Sequence, residues 1–211
     1  MAYFPAFIEL SGRPVLIVGG GAVAARKAER VRAAGAAVTV VAPRLAPSIA
    51  AMDDVRAVPR RYRREDVDGM SMVFACTDDP GVQEAVVADA HRAGALVCRT
   101  DDGVGGDFLT GATLARGAVQ VAVTTSGKSP VLAAWIRERL EDEVGQHYGE
   151  LAELMAELRE GLERAGAGDV ADRSRALLAA GLERDLALGR TGAARAAIAG
   201  ALAEDSRAGV E

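Results

Sequence analysis

Cysteine is nearly absent: Cys76 and Cys98 are the only two in 211 residues. Two cysteines build neither a disulfide framework nor a zinc cluster, and their scarcity fits a reducing cytoplasm. Histidine is as rare, with His91 and His147 alone and no second ligand at metal spacing beside either. Lysine occurs only as Lys27 and Lys128, and the formal net charge is −5. That balance argues against a basic face for duplex nucleic acid. No apolar run nears the roughly 20 residues of a membrane-spanning helix. The opening Met-Ala-Tyr-Phe-Pro lacks the basic start and long apolar stretch of a signal peptide. What is present is a chain half hydrophobic and 26% charged, enough to build a core for one domain or two small ones.

The first hundred residues alternate short apolar runs with amphipathic stretches. Pro14 to Val18 reads as a strand buried on both faces, and Val23 to Ala33 as a helix that Gly35 ends. Ala37 to Ala42, Val55 to Val58, Met72 to Cys76 and Leu96 to Cys98 read as further strands, with a helix over Val82 to Ala93. Strands alternating with helices imply an α/β fold with a parallel sheet and right-handed crossovers. Beyond Asp107 the pattern changes. Ala118 to Val123 alternates like a half-exposed strand, and Pro130 opens a helix to about Val144. From Glu150 the chain is rich in Ala, Leu, Glu and Arg at helical spacing, which reads as a small helical bundle.

Gly19-Gly20-Gly21-Ala22-Val23-Ala24 joins the first strand to the first helix. A dinucleotide-binding fold needs a tight turn and close backbone approach there, with Gly19 and Gly21 as the glycines and Ala24 as the small packing residue. The helix N-terminus adds free N–H groups and partial positive charge for phosphate. The second strand ends in Ala42-Pro43-Arg44 rather than in an acidic residue, so the residues alone leave NAD and NADP both open.

The loop has companions. Tyr3-Phe-Pro5 precedes it and Arg26-Lys27 follows. Then come Val73-Phe-Ala-Cys-Thr-Asp-Asp79, Asp101-Asp102 and Thr124-Thr-Ser-Gly-Lys-Ser-Pro-Val-Leu-Ala133. Over about residues 2 to 160 this order resembles the precorrin-2 dehydrogenase / sirohydrochlorin ferrochelatase family, the N-terminal module of sirohaem synthase. With no methyltransferase module after it, the chain looks like the stand-alone form. The resemblance implies NAD-dependent oxidation of precorrin-2 to sirohydrochlorin, in some members followed by insertion of ferrous iron. It also implies a homodimer with a Rossmann-like parallel sheet, a central dimerisation region and a small C-terminal helical domain. The expected boundaries are 1–106, 107–146 and 147–211.

Carried over onto this sequence, the family pattern places dinucleotide contacts at Ala22, Val23, Pro43 and Arg44, with Thr77 and Asp78 at the end of the fourth strand. Asp102 matches the family aspartate that serves dehydrogenation and chelation. Thr125, Ser126, Lys128 and Ser129 fall on the substrate side, where a helix start suits a substrate carboxylate. No resident metal is expected; ferrous or cobaltous ion would enter as substrate. The chain departs from the pattern in Arg99-Thr-Asp101-Asp102, where relatives carry an asparagine three residues before the aspartate. It also has Gly111 where relatives commonly have proline, and Gln83 where they favour asparagine. Two other readings fit the residues: a chelatase or dehydrogenase for a different ligand, or a non-catalytic NAD-binding sensor. The cluster Arg56, Arg60, Arg61, Arg63 and Arg64 reads as solvated surface.

Overall fold

The computed structural model describes residues 3–100, 105–167 and 169–208. The chain divides into two compact units. One comprises Met1–Thr110 with Thr124–Ser129, the other Gly111–Val123 with Pro130–Glu211.

The first unit is a five-stranded parallel sheet. Its strands are β1 (Pro14–Val18), β2 (Ala37–Val41), β3 (Arg56–Val58), β4 (Met72–Ala75) and β5 (Leu96–Arg99), in the order β3-β2-β1-β4-β5. Helix α1 (Ala22–Ala33) connects β1 to β2, and α3 (Pro80–Ala93) connects β4 to β5. A four-residue helix, α2 (Pro47–Ala50), and a 3₁₀ turn (Arg64–Val67) complete the connections. The five strands thus lie where the apolar runs put them, while α2 and the 3₁₀ turn were too short to show periodicity.

Because both faces of a parallel sheet are covered, β1 and β4 are apolar at every position and β2 at all but Thr39. Val15 and Ile17 of β1 pack with Ala24, Ala28 and Val31 of α1, together with Met72 and Phe74. Leu16 and Val18 point the other way, toward Val86 and Ala90 of α3. Alanines at the inner positions of α1 let that helix lie close to the strands. On the α1 face Phe108 packs edge-on against Phe74 with centroids 5.5 Å apart. Asp107 anchors this segment: it accepts from Val97 N–H at 2.8 Å and lies 3.1 Å from His91 Nε2.

The second unit opens with an antiparallel hairpin, β6 (Ala112–Arg116) and β7 (Val119–Val123). The alternation over Ala118 to Val123 identified β7; β6 was not legible because Ala112-Thr-Leu-Ala-Arg116 has one large apolar residue. Gly111 precedes β6 where a Cβ would run into the Val123 carbonyl, so the hairpin closes only over glycine. Helices α4 (Pro130–Glu143), α5 (Tyr148–Arg164), α6 (Val170–Ala179), α7 (Leu182–Ala187) and α8 (Thr191–Ala208) follow. Leu151, Leu154, Leu158 and Leu162 recur at helical spacing along α5 and meet Leu182, Leu186, Ala194 and Ile198 in a core of their own. None of the helices among the described residues is long and apolar enough to cross a membrane.

Leu158 is fully buried at the centre of that core. Leu158→Ala is expected to destabilise the helical module by about 2–5 kcal/mol, read as a shift of the urea unfolding midpoint.

Candidate functional site

In a parallel sheet of this order, ligands bind at the carboxyl ends of the strands, where the crossovers from β1 diverge. The glycine loop lies there, between β1 and α1. Gly19 has φ +135°, outside the range open to side chains, and a Cβ on it would collide with the Cys76 carbonyl. A Cβ on Gly20 would collide with the Arg44 carbonyl. Gly20 carbonyl in turn accepts from Ala46 N–H at 2.8 Å. The loop is therefore wedged between the chain leaving β2 and the chain leaving β4. Gly21 is different: a Cβ there would meet nothing within 4 Å. Its backbone faces open space at the helix start.

That opening fits a pyrophosphate. Helix α1 has Gly21 at its N-cap, no side chain capping it and no acidic residue in its first turn. The N–H groups of the first turn thus lack intrahelical acceptors, and the helix dipole adds positive potential. Ala22 and Val23 are exposed at this end. Helix α3, at the neighbouring strand end, is capped by its own chain: Asp79 Oδ1 accepts from Gly81 N–H at 3.0 Å and Val82 N–H at 3.2 Å.

Thr77 and Asp78 follow β4 at the same edge. Thr77 Oγ1 accepts from Asp79 N–H at 3.3 Å, and its carbonyl accepts from Gln83 Nε2 at 2.7 Å. Gln83 is 4% exposed, and its Oε1 has no hydrogen-bond partner among the described residues. Reversing the amide would set two oxygens against each other, so Gln83 is a fixed strut under Thr77. Pro43 and Arg44 lie exposed past the end of β2. The structure thus brings Gly19, Gly21, Ala22, Val23, Pro43, Arg44, Thr77 and Asp78 to one edge of one sheet. Asp101 and Asp102 lie outside the described residues.

Thr125, Ser126, Lys128 and Ser129 occupy the turn after β7. Thr125 Oγ1 accepts from Ser129 N–H and donates to Ser129 carbonyl, both at 2.9 Å. Lys128 N–H closes the turn on Thr125 carbonyl at 3.1 Å. Ser126 takes φ +55°, uncommon for serine. The Thr125 hydroxyl holds the turn's shape, and Ser126 and Lys128 are exposed on it.

Lys27, quoted above only as part of the motif after the glycine loop, has contacts that sequence reading did not foresee. Lys27 projects from α1 so that its ammonium donates to Thr110 Oγ1 and lies 5.7 Å from the Phe74 ring centroid. Burial holds it below the usual lysine range, countered in part by Cys98 and Cys76. The signal for those contacts was a lysine set between buried Ala24 and Ala28. Burial also pushes the Cys76 thiol up to about 11 and raises Cys98, so neither is a thiolate nucleophile at neutral pH. Of the arginine cluster, Arg60 is clamped bidentate by Asp66 at 2.5 and 2.8 Å, which leaves only part of it as solvated surface. A cavity of about 270 Å³ beside that clamp lies on the α3 face of β2 and β3.

Residues 6–112 match the family described as "Putative NAD(P)-binding", which covers the whole sheet and its glycine loop. The chain belongs to this NAD(P)-binding family. Residues 116–143 match the family described as sirohaem biosynthesis protein central. Among curated relatives, a siroheme synthase of Chromobacterium violaceum is 42% identical over 163 residues, 76% of this chain and 35% of that protein. Siroheme synthase 2 of Aeromonas hydrophila is 39% identical over 176 residues, 83% of this chain and 37% of that one. The chain therefore spans about a third of the length of these relatives. Among solved structures, SirC, a precorrin-2 dehydrogenase, superposes with a TM-score of 0.74 at 25% identity, covering 97% of this chain and all of that one.

Gly20→Ala is expected to leave a folded protein by circular dichroism and to weaken dinucleotide binding by at least about tenfold, because the added methyl displaces the segment at Arg44 from the loop. Isothermal titration with NAD measures it.

Proposed function

We propose that the chain oxidises precorrin-2 to sirohydrochlorin with NAD, in the synthesis of sirohaem. The observation that carries this reading is the open cradle at Gly21, in a chain that resembles siroheme synthases over three quarters of its length. Bound NAD supplies the hydride acceptor. Gly19 and Gly21 leave room for its pyrophosphate, Ala22 and Val23 offer backbone N–H groups, and Pro43 and Arg44 flank the adenosine end. Thr77 and Asp78, braced by Gln83 and Asp79, border the nicotinamide end. On this reading residues 1–106 bind the dinucleotide, 107–146 serve dimerisation and substrate, and 147–211 form the helical domain.

Asp102 is the proposed catalytic base. Oxidation of the macrocycle releases a proton as well as a hydride, and a carboxylate beside the reacting carbon takes that proton. Lys128, Ser126 and the turn through Thr125 and Ser129 receive the substrate's carboxylates, which charge-assisted hydrogen bonds orient. A metal enters as a substrate: ferrous or cobaltous ion is the second substrate to test, with Asp102 accepting the pyrrole protons.

The reading makes the chain a cytoplasmic homodimer. Supporting it, α4 leaves Val131 80%, Leu132 46% and Trp135 52% exposed, apolar area that water disfavours. Trp135→Glu is expected to yield a folded monomer in sedimentation velocity, where the unaltered chain sediments as a dimer.

Anaerobic incubation with precorrin-2 tests the activity. Absorbance is expected to show sirohydrochlorin only when NAD is present, and Asp102→Ala is expected to slow it about 100- to 10,000-fold. Bound NAD without conversion would leave the dinucleotide fold standing and remove precorrin-2 as substrate. Ferrous or cobaltous ion is then added, and a spectral change above the uncatalysed rate would add chelation.

A further inference from the structure

The sheet is covered unevenly on its α3 face. Helix α3 brings Val86 and Ala90 to the cluster that holds Leu16, Val18 and Val73 of β1 and β4. Over β2 and β3 the connection to β4 is the 3₁₀ turn Arg64–Val67, and of its residues only Val67 is buried. Four residues are too few to roof two strands as a crossover helix does in a sheet covered on both faces. Between the turn and the strands lies the cavity of about 270 Å³, close to the lower end of the roughly 300–1,000 Å³ typical of small-molecule sites.

The pairing of β2 with β3 sets its floor. Thr39 lies beside Arg56 and Val41 beside Val58, and all four line the cavity. Val41, Val58 and Met70 make the floor apolar. Thr39 is the one polar residue of β2, and its hydroxyl has no hydrogen-bond partner among the described residues. The rim is charged. Arg60 and Asp66 spend their charges on each other, and Asp66 also accepts from Arg63 N–H at 2.8 Å. The side chains of Arg56, Glu65 and Asp68 are exposed and form no ion pair or hydrogen bond among the described residues. The strand side of the cavity thus offers an uncommitted cation, and the turn side two uncommitted carboxylates. A short apolar molecule bearing one charge of each sign matches both sides and the floor together.

We propose that this cavity binds a free α-amino acid with an apolar side chain. Its carboxylate meets Arg56 and the Thr39 hydroxyl, its ammonium meets Glu65 and Asp68, and its side chain lies on Val41, Val58 and Met70. A guanidinium and a carboxylate form charge-assisted hydrogen bonds, as do an ammonium and a carboxylate, and each fixes one end of the ligand. None of these residues belongs to the dinucleotide or substrate sets above, so the inference stands apart from the preceding reading.

L-Leucine is titrated into the full chain labelled with ¹³C at its methyl groups, and the resonances of Val41, Val58 and Met70 are followed. Two analogues take one charge away at a time: 3-methylbutylamine lacks the carboxylate and 4-methylpentanoate lacks the ammonium. Leucine is expected to shift these methyls saturably, with a dissociation constant of about 1 mM or below. Each analogue is expected to bind about tenfold more weakly, the worth of one charged hydrogen bond. Arg56→Ala should weaken leucine and 4-methylpentanoate about tenfold and leave 3-methylbutylamine within about twofold. Glu65→Gln with Asp68→Asn should do the reverse. The analogues test both charges on the unaltered chain, so the outcome does not depend on a variant's folding. No saturable shift at ten times about 1 mM leucine would overturn the proposal. So would either analogue binding as tightly as leucine, or leucine binding that survives both sets of substitutions. Failure to bind NAD or to oxidise precorrin-2 would leave it intact.

Discussion

The structure depends on one close approach. Two backbones pass the glycine loop at van der Waals distance: the chain leaving β4 at Cys76, and the chain leaving β2 at Arg44. No side chain fits at Gly19 or Gly20, where the nearest atoms are the Cys76 and Arg44 carbonyls. That contact sets where α1 begins, and with it the direction of the free N–H groups at Gly21 and Ala22. Everything at the dinucleotide edge follows from it, since Arg44 on one side and Thr77 on the other are placed by the same wedge.

Around this wedge the polar groups divide by whether the protein satisfies them. At α3 Asp79 caps the helix, Gln83 braces Thr77 and Asp107 ties the segment after β5 to the sheet. At α1 no side chain does the same service. An exposed helix end without a cap is tolerable in water and becomes useful when an anion arrives. Lys27 lies one and a half turns below, its charge spread between Thr110 and the Phe74 ring. It fastens α1 to Thr110, on the segment that follows Phe108.

Much of the first unit was legible because its signals are local. Short continuous apolar runs bounded by glycine and proline suit buried strands in a covered sheet, and Gly19 to Ala24 lies between such a run and a helix. The periodic leucines of α5 announced a packed helix in the same way. What stayed hidden was non-local. Strand β6 has too little apolar character to stand out, and it exists because β7 offers it a ladder. The bidentate clamp of Arg60 on Asp66 was read as part of a solvated cluster, since nothing in an arginine-rich stretch tells which side chain turns inward. Thr125 was placed on the substrate side, yet its hydroxyl closes a turn on Ser129; a hydroxyl's hydrogen bonds depend on a fold that spacing does not describe.

The sequence by itself determined the strand and helix order of the sheet, the glycine loop at its edge and the family to which the chain is similar. Hydrophobic periodicity and glycine's conformational freedom act within a few residues, and both can be read along the chain. Only the tertiary structure decided which polar groups are spent and which are left over. It committed Arg60 to Asp66, Gln83 to Thr77 and Lys27 to Thr110, and among the described residues it left the first turn of α1 without a side-chain cap. Those outcomes turn on distances between residues far apart in sequence, which the packing of strands and helices sets and no local pattern encodes.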